Sequence, residues 1–245
     1  MIGALLPMAR KNGRGRPFLT LVVPKADARF YIAQAQASGG SVLVLGSASG
    51  TLALEIASAG VSTLAVDPSP RMVAAAEALK ASAPPAVAER LRVQQADLRA
   101  LRLEERFPLV MAPHNALGLM GTLADLESLL ATVRHHLAGD GTFVFDLLNP
   151  RAGLSLEPSP PPEPSAGVPP HRPIFAPHLR ERRRTPDGKG LEVALHRLRL
   201  RPFRPEEVDR ALQAVGLVAR ERYGNFEGRP FAAEEERQVV VAGVA

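Results

Sequence analysis

Between residues 41 and 147 the chain alternates short apolar runs with longer mixed segments that end at Gly or Pro. Continuous apolar runs predict strands buried on both faces, and the mixed segments predict helices. The predicted strands are 41–45, 62–66, 91–95, 108–112 and 142–147, and the predicted helices are 51–58, 70–81 and 123–137. This alternation is typical of crossover units on parallel strands, so we predict an α/β, Rossmann-like, doubly wound sheet.

The flanking segments complete this predicted domain. A helix over 27–38, which Asp27 could cap, precedes the first strand. The turn Gly139-Asp140-Gly141 is expected to separate the last helix of the alternation from its strand. After the fifth strand we predict a helix over 205–215 and strands over 217–223 and 237–242, which close the sheet with an antiparallel C-terminal strand.

Residues 151–200 interrupt the pattern. Proline-rich residues 156–177 predict an extended excursion, and Leu179–Thr185 and Leu191–Leu200 flank a turn and predict a hairpin. We therefore expect a basic flexible arm over 1–26 and one domain over 27–245. Within that domain, residues 151–200 are expected to form a lid on the substrate side.

Composition narrows the class of protein. Of 245 residues, 46% are hydrophobic and none is cysteine, which excludes disulfides, thiolate metal sites and a thiol nucleophile. The sequence contains no run of 18 uncharged apolar residues, so no membrane-spanning helix is predicted. The apolar start precedes the basic cluster Arg10, Lys11, Arg14 and Arg16, the reverse of a secretory signal, so a cytoplasmic protein is expected.

The net charge of +5 suggests that the protein could bind nucleic acid. Aromatic residues make up only 4%, too few for a platform that stacks single-stranded bases. The basic run Arg180, Arg182, Arg183 and Arg184 could face an acidic substrate, although a solvated hairpin explains it as well. Nucleic acid is therefore not the expected partner, and a homodimer is a possible assembly.

The turn Gly46-Ser47-Ala48-Ser49-Gly50 follows a buried strand and opens a helix. Such a turn lets a ligand approach the backbone at a helix N-terminus, although a tight turn without a ligand has the same pattern. Asp67 ends the second strand, where a carboxylate can accept both ribose hydroxyls or can begin a helix. A dinucleotide fingerprint would need glycine at 46, 48 and 51, and only Gly46 matches.

Several segments in order resemble class I S-adenosylmethionine-dependent methyltransferases, in particular the bacterial small-molecule enzymes whose turn usually reads VLELGCGTG. They are FYIAQAQASGG, SVLVLGSASGTLALEIASAG, TLAVDPSPRMVAAAEAL, VQQADLRAL, FPLVMAPHNALGLM, HHLAGDGTFVFDLLNP and RPFRPEEVDRALQAVGLVARERYGNF. The resemblance covers most of residues 27–245. It implies S-adenosylmethionine as cofactor and a nitrogen or oxygen atom of a small molecule as methyl acceptor.

The resemblance also assigns residues to the cofactor. Gly46, Ser47 and Gly50 would line its methionine and ribose side, Asp67 would bind the ribose hydroxyls, and Pro68 would lie near the adenine edge. Beyond the third and fourth strands, the residues that would contact adenine or border the sulfonium and substrate are Asp97, Leu98, Ala112, Pro113, His114 and Asn115. By itself, Asp97 could equally be an ordinary turn aspartate.

Two positions depart from the family pattern. Val44 replaces the acidic residue that stands two positions before the first glycine, and Ala48 replaces the middle glycine. If the ligand touches Ala48, the added methyl costs about 1–3 kcal/mol, which is roughly a tenfold to hundredfold loss of affinity. A catalytically inactive methyltransferase-like scaffold is therefore an alternative function, and an RNA methyltransferase is a weaker one.

Methyl transfer from a sulfonium depends mainly on alignment, and a base is needed only when the acceptor carries a proton. His114 is the histidine predicted at the carboxyl edge of the sheet and is our candidate base, or else a turn residue that covers the pocket. Asn115 could orient a substrate or bond the loop, and Tyr31 could close over the cofactor or belong to the core. No metal site is expected, because the adjacent His135 and His136 diverge on a helix.

Overall fold

The computed structural model describes the backbone of residues 10–11, 17–18, 25–150, 178–184, 191–197 and 200–245, and the side chains of 27–150 and 200–245. In chain order its helices and strands are β1 (Arg10–Lys11), β2 (Pro17–Phe18), α1 (Lys25–Ala37), β3 (Val42–Leu45), α2 (Thr51–Ser58), β4 (Thr63–Asp67), α3 (Pro70–Ala81), α4 (Pro85–Ala88), β5 (Leu91–Gln95), β6 (Phe107–Ala112), α5 (Leu123–His136), β7 (Leu137–Leu148), β8 (His178–Arg184), β9 (Leu191–Arg197), α6 (Pro205–Ala214), β10 (Leu217–Tyr223) and β11 (Arg237–Val244).

Seven of these strands form one sheet in the order β10-β11-β7-β6-β3-β4-β5. The strands β3 to β7 pair in parallel, and β11 pairs antiparallel with both β7 and β10. This arrangement confirms the predicted α/β sheet with its antiparallel C-terminal strand. The chain reverses its direction of winding at β3, whose neighbours are β4 and β6.

Alternate residues of β3 face different helices, and this is why the strand is apolar throughout. Leu43 and Leu45 join a cluster that includes α5 and α6, whereas Val42 and Val44 join a cluster that includes α1 and α2. All four side chains are fully buried. Helices on both faces leave no solvated side, so the strand shows a continuous apolar run instead of alternation.

Two predicted boundaries are wrong. Helix α1 begins at Lys25, so Asp27 lies inside its first turn and does not cap it. Strand β7 begins at Leu137, directly after α5, and the expected turn at 139–141 is instead part of that strand. There the ladder shifts register between Phe107 and Leu109, opposite residues 138–141. Proline cannot donate to a ladder, and the extra residues form a bulge beside Pro108.

The chain divides into two compact units, one of residues 25–154 and 202–245 and one of residues 1–24 and 155–201. In the second unit β8 and β9 pair antiparallel with Arg184 opposite Leu191, which confirms the predicted hairpin. The proline-rich residues 156–177 and most of the predicted arm lie outside the described residues. The predicted lid stays a prediction.

Candidate functional site

Parallel strands bring their carboxyl ends to one edge of the sheet, and the predicted site residues follow those ends. Gly46 follows β3, Asp67 ends β4, Asp97 follows β5 and Pro113 follows β6. The edge has its crevice where the strand order reverses, between β3 and β6. A methyl group built on Gly46 would come within 2.9 Å of Ala116 Cβ, so the turns after β3 and β6 pack together there.

The turn from Gly46 to Gly50 is built by positive φ angles and close packing. Gly46 has φ +71° and Gly50, which caps α2, has φ +77°. A Cβ atom on Gly50 would lie 2.8 Å from Ala76 Cβ of α3. Ala48 adopts φ +48°, although a side chain disfavours that region. Packing within the fold therefore accounts for both glycines, with or without a ligand.

Asp67 is a buried carboxylate that connects two turns. It accepts the backbone N–H of Ala48 at 2.8 Å and that of Ser69 at 2.9 Å. Ser69, not Asp67, is the N-cap of α3, since its side chain accepts from Met72. A carboxylate offers about four acceptor positions, so two remain for other donors.

Asp97 is exposed, and its oxygens bind the guanidinium and backbone N–H of Arg99. The same arginine reaches Asp125 at the start of α5 over 2.7 Å. The hydrogen bonds from Arg99 hold the pKa of Asp97 below its usual value. Leu98 is buried, and its Cδ1 would lie 3.7 Å from a Cβ atom on Gly46. Pro68, in contrast, is exposed.

The turn after β6 is strained in two consecutive residues. Ala112 and Pro113 are buried, and then His114 and Asn115 adopt φ +57° and +60°. Within the described part of the chain, the Nε2 atom of His114 is buried without a hydrogen-bond partner, as is Ser47 Oγ of the neighbouring turn. Burial lowers the pKa of the His114 imidazole. A neutral ring can accept a proton, so the turn offers a base at the edge of the sheet.

Sequence reasoning missed a buried carboxylate beside this turn. Asp146 is fully buried near the end of β7 and accepts hydrogen bonds from the Tyr31 hydroxyl, from the His114 and Asn115 backbones and from Arg237. Arg237 reaches it because β11 runs antiparallel and begins opposite the end of β7. A charged residue inside the apolar run FVFDLL was the available signal.

Tyr31 and Asp27 share this buried environment on α1. Tyr31 is fully buried and its hydroxyl donates to Asp146 at 2.7 Å, which places it in the core. Burial raises the pKa of Asp27 to about 7, although the nearby Arg237 opposes that shift. The Asn115 amide oxygen accepts the Leu148 N–H at 3.1 Å and so bonds the loop to β7.

The paired histidines of α5 have structural partners. His136 Nε2 accepts the Leu103 N–H at 2.9 Å, and His135 Nε2 lies 3.1 Å from the Leu103 carbonyl oxygen. Among the residues that the structure describes, no group of three His, Cys, Asp or Glu side chains could hold a metal ion. No helix in the same part of the chain is long and apolar enough to cross a membrane.

Comparisons with known proteins agree with this arrangement. A family model described as a methyltransferase domain matches residues 42–141. The CcbJ methyltransferase from Streptomyces caelestis is 25% identical, with a TM-score of 0.71 over 91% of this chain and 97% of that chain. Residues 42–141 thus match a methyltransferase domain, and the chain shares the fold of S-adenosylmethionine-dependent methyltransferases.

Two further structures share the methyltransferase fold at lower identity. The glycopeptide N-methyltransferase MtfA, solved with S-adenosylmethionine, is 21% identical, with a TM-score of 0.63 over 92% of this chain and 96% of that chain. An S-adenosylmethionine-dependent methyltransferase from Clostridium acetobutylicum is 18% identical, with a TM-score of 0.70 over 92% and 93%. No curated protein sequence matches the chain.

The two departures from the methyltransferase pattern differ in their surroundings. Val44 is fully buried in an apolar cluster with Tyr31, Leu52 and Met111, so no carboxylate occupies that position. Ala48 is exposed at the surface of the turn. Ser47 Oγ and His114 Nε2, which have no partner in the described part of the chain, and the spare acceptor positions of Asp67 fit a polar cofactor such as S-adenosylmethionine, whereas Val44 provides no polar contact.

Proposed function

We propose that the chain binds S-adenosylmethionine at the carboxyl edge of its sheet and transfers the methyl group to a nitrogen or oxygen atom of a small molecule. The observation that carries this proposal is the pair of buried polar atoms, Ser47 Oγ and His114 Nε2, that have no hydrogen-bond partner among the described residues. Buried polar groups are nearly always paired, so two that lack a partner on adjoining turns are groups that a bound polar cofactor would satisfy. The match of residues 42–141 to a methyltransferase domain supports the same conclusion.

Three groups of residues would hold the cofactor. Ser47 and the backbone of its turn would face the methionine end, and the spare acceptor positions of Asp67 would take ribose hydroxyls. Leu98 would supply an apolar contact for adenine. Arg99 uses much of the acceptor capacity of Asp97, so we expect Asp97 to contribute less to adenine binding than the family pattern implies.

Bound there, the cofactor would supply a methyl group already activated on a positively charged sulfur. The protein then has to align the acceptor with that group, which provides most of the rate. Where the acceptor carries a proton, the His114 imidazole would remove it, since burial keeps the ring neutral. Tyr31 has its hydroxyl bound by Asp146, and we assign it no contact with the reacting atoms.

Titration calorimetry with S-adenosylhomocysteine and S-adenosylmethionine tests this function. We expect saturable binding with a dissociation constant below about 1 mM, weakened by Ala48 and Val44 relative to the family pattern. The oxidised nicotinamide dinucleotide is the matched control ligand, because the turn has one of the three glycines of that fingerprint. Failure of both adenosyl ligands to bind a folded chain at millimolar concentration would contradict the proposal.

A methyltransferase-like scaffold without activity is the second candidate. It is favoured by Val44, since the position of the expected acid belongs to a closed apolar cluster. A Val44→Glu change would restore the acidic residue of the methyltransferase pattern, but it would also bury an unpaired charge. It therefore cannot serve as a test of cofactor binding. Folded protein that binds neither adenosyl ligand would support this second function. An RNA acceptor has only the basic composition in its favour, and we do not propose it.

A further inference from the structure

The buried carboxylate of Asp146 is surrounded by donors. The Tyr31 hydroxyl lies 2.7 Å from Oδ1, the His114 N–H 2.6 Å from Oδ1 and the Asn115 N–H 3.1 Å from Oδ2. The guanidinium of Arg237 pairs with Oδ2 and is itself mostly buried. An unpaired charge in such a place would be strongly destabilising, and one cation with three further donors compensates it.

Two of these donors belong to residues with an unfavourable backbone. His114 and Asn115 both have positive φ angles, a conformation that costs a side chain about 1–2 kcal/mol and costs asparagine less. The N–H groups of these two successive turn residues point at the two oxygens of one carboxylate, and neighbouring backbone N–H groups in a turn can bind an anion in this way. Here the anion is Asp146. The carboxylate therefore offsets the strain that keeps the turn in place.

The imidazole of His114 lies on this turn, and its Nε2 atom has no hydrogen-bond partner among the residues that the structure describes. The His114 ring lies edge-on to Tyr31 with 6.4 Å between ring centroids, and its Nε2 atom is buried. Burial lowers the pKa of this imidazole and Arg237 lowers it further, whereas Asp146 and Glu55 raise it. Among the described residues, these three charged groups act on the ring, and they come from β11, β7 and α2.

We propose that Asp146 is a positioning residue, which acts through the backbone N–H groups of His114 and Asn115 to hold the His114 imidazole where an acceptor's proton can be removed. Asp146 itself contacts no substrate. The inference rests on the proposed methyl transfer for the role of His114. Its structural part, that Asp146 holds the ring in its buried place, is independent of any cofactor or acceptor.

Proton NMR titration of the histidine ring signals tests the positioning. His114→Gln identifies the signal by its loss among the six histidines. In Asp146→Asn, loss of an acceptor should release the strained turn, expose the ring and raise the pKa of His114 towards its ordinary value near 6.5. If Asp146 were only a neighbouring charge, removing it would lower that pKa, which would overturn the proposal.

A double variant tests the same proposal if Asp146→Asn alone does not fold. Asp146→Asn with Arg237→Met removes both members of the buried pair, a change that proteins often tolerate. The opposite effects of the two charges on His114 then disappear together. We expect the pKa of His114 to rise again because the turn is released. A pKa that stays as low as in the wild type would overturn the positioning role, whatever the calorimetric titrations show about the cofactor.

Discussion

Ala48 occupies a backbone conformation that suits glycine. Its φ angle is +48°, its side chain is exposed, and its N–H is bound by Asp67 at 2.8 Å. Because the side chain makes no buried contact, its methyl group contributes little packing to offset the unfavourable conformation. The turn keeps its shape because Asp67 and the flanking glycines determine it.

The change Ala48→Gly should therefore stabilise the fold. Relief of the left-handed strain gains about 1–2 kcal/mol, and the greater freedom of glycine in the unfolded chain costs about 0.4–1 kcal/mol. We expect a net gain of roughly 0.5–1 kcal/mol in the free energy of unfolding, measured with urea. Ala75→Gly, at an exposed site within α3, is the matched control and should lose about 1 kcal/mol. A loss at both positions would contradict the role assigned to the φ angle.

For single residues, the sequence predicts the position of those that directly follow or end a predicted strand. Gly46 and Asp67 stand directly at strand ends, so a strand pattern places them at the edge of the sheet. Arg237 is 91 positions from Asp146, and no local pattern pairs them. The strain at His114 and Asn115 likewise depends on that distant carboxylate. Those features required tertiary structure.

Among the elements, α2 and α3 meet at a glycine. A Cβ atom on Gly50 would lie 2.8 Å from Ala76 Cβ and 3.3 Å from Ala76 Cα. Gly60, after α2, also has a positive φ angle, but nothing lies within 4 Å of the corresponding Cβ position. The two glycines share the backbone requirement and differ in the approach of a second helix.

We expect Gly50→Ala to destabilise the protein more than Gly60→Ala. Gly60→Ala, the control, loses about 1–2 kcal/mol because of its backbone conformation alone. Gly50→Ala loses about 1–3 kcal/mol more, because the added methyl group overlaps α3. Thermal and urea unfolding of the two variants give the comparison. Equal losses would show that α3 can move away from the turn without cost.

The buried strands were predictable because helices cover both faces of the sheet, which leaves an apolar run with clear ends. The start of β7 could not be predicted from the sequence. Its first residues include two glycines, which locally favour a turn, and only Pro108 on the neighbouring strand makes them a bulge. The short helix α4 spans four residues and is too brief for a periodic pattern.

For the molecule as a whole, Asp27 makes stability depend on pH. Burial raises its pKa to about 7 in the folded chain, against an ordinary value of 3.8. Between these values the folded chain binds a proton that the unfolded chain has lost. The free energy of unfolding therefore falls as the pH rises through this range, by up to about 1.4 kcal/mol per pH unit for one proton.

Asp27→Asn removes this dependence. The variant should gain stability relative to the wild type between pH 5 and pH 8, because only the wild type has to ionise a buried carboxyl. Urea unfolding of both proteins at the two pH values measures the difference. If the two proteins differ in stability by the same amount at pH 5 and pH 8, Asp27 does not change its ionisation between these pH values.

The antiparallel last strand also affects how the chain is made. Asp146 leaves the ribosome 91 residues before Arg237, an interval of roughly 5–20 s at ordinary rates of synthesis. During that interval the carboxylate lacks its cation, and burying it alone would be costly. Completion of this edge of the sheet must then wait for the final strand. Translation arrested before and after residue 237, followed by proteolysis, would reveal that order of events.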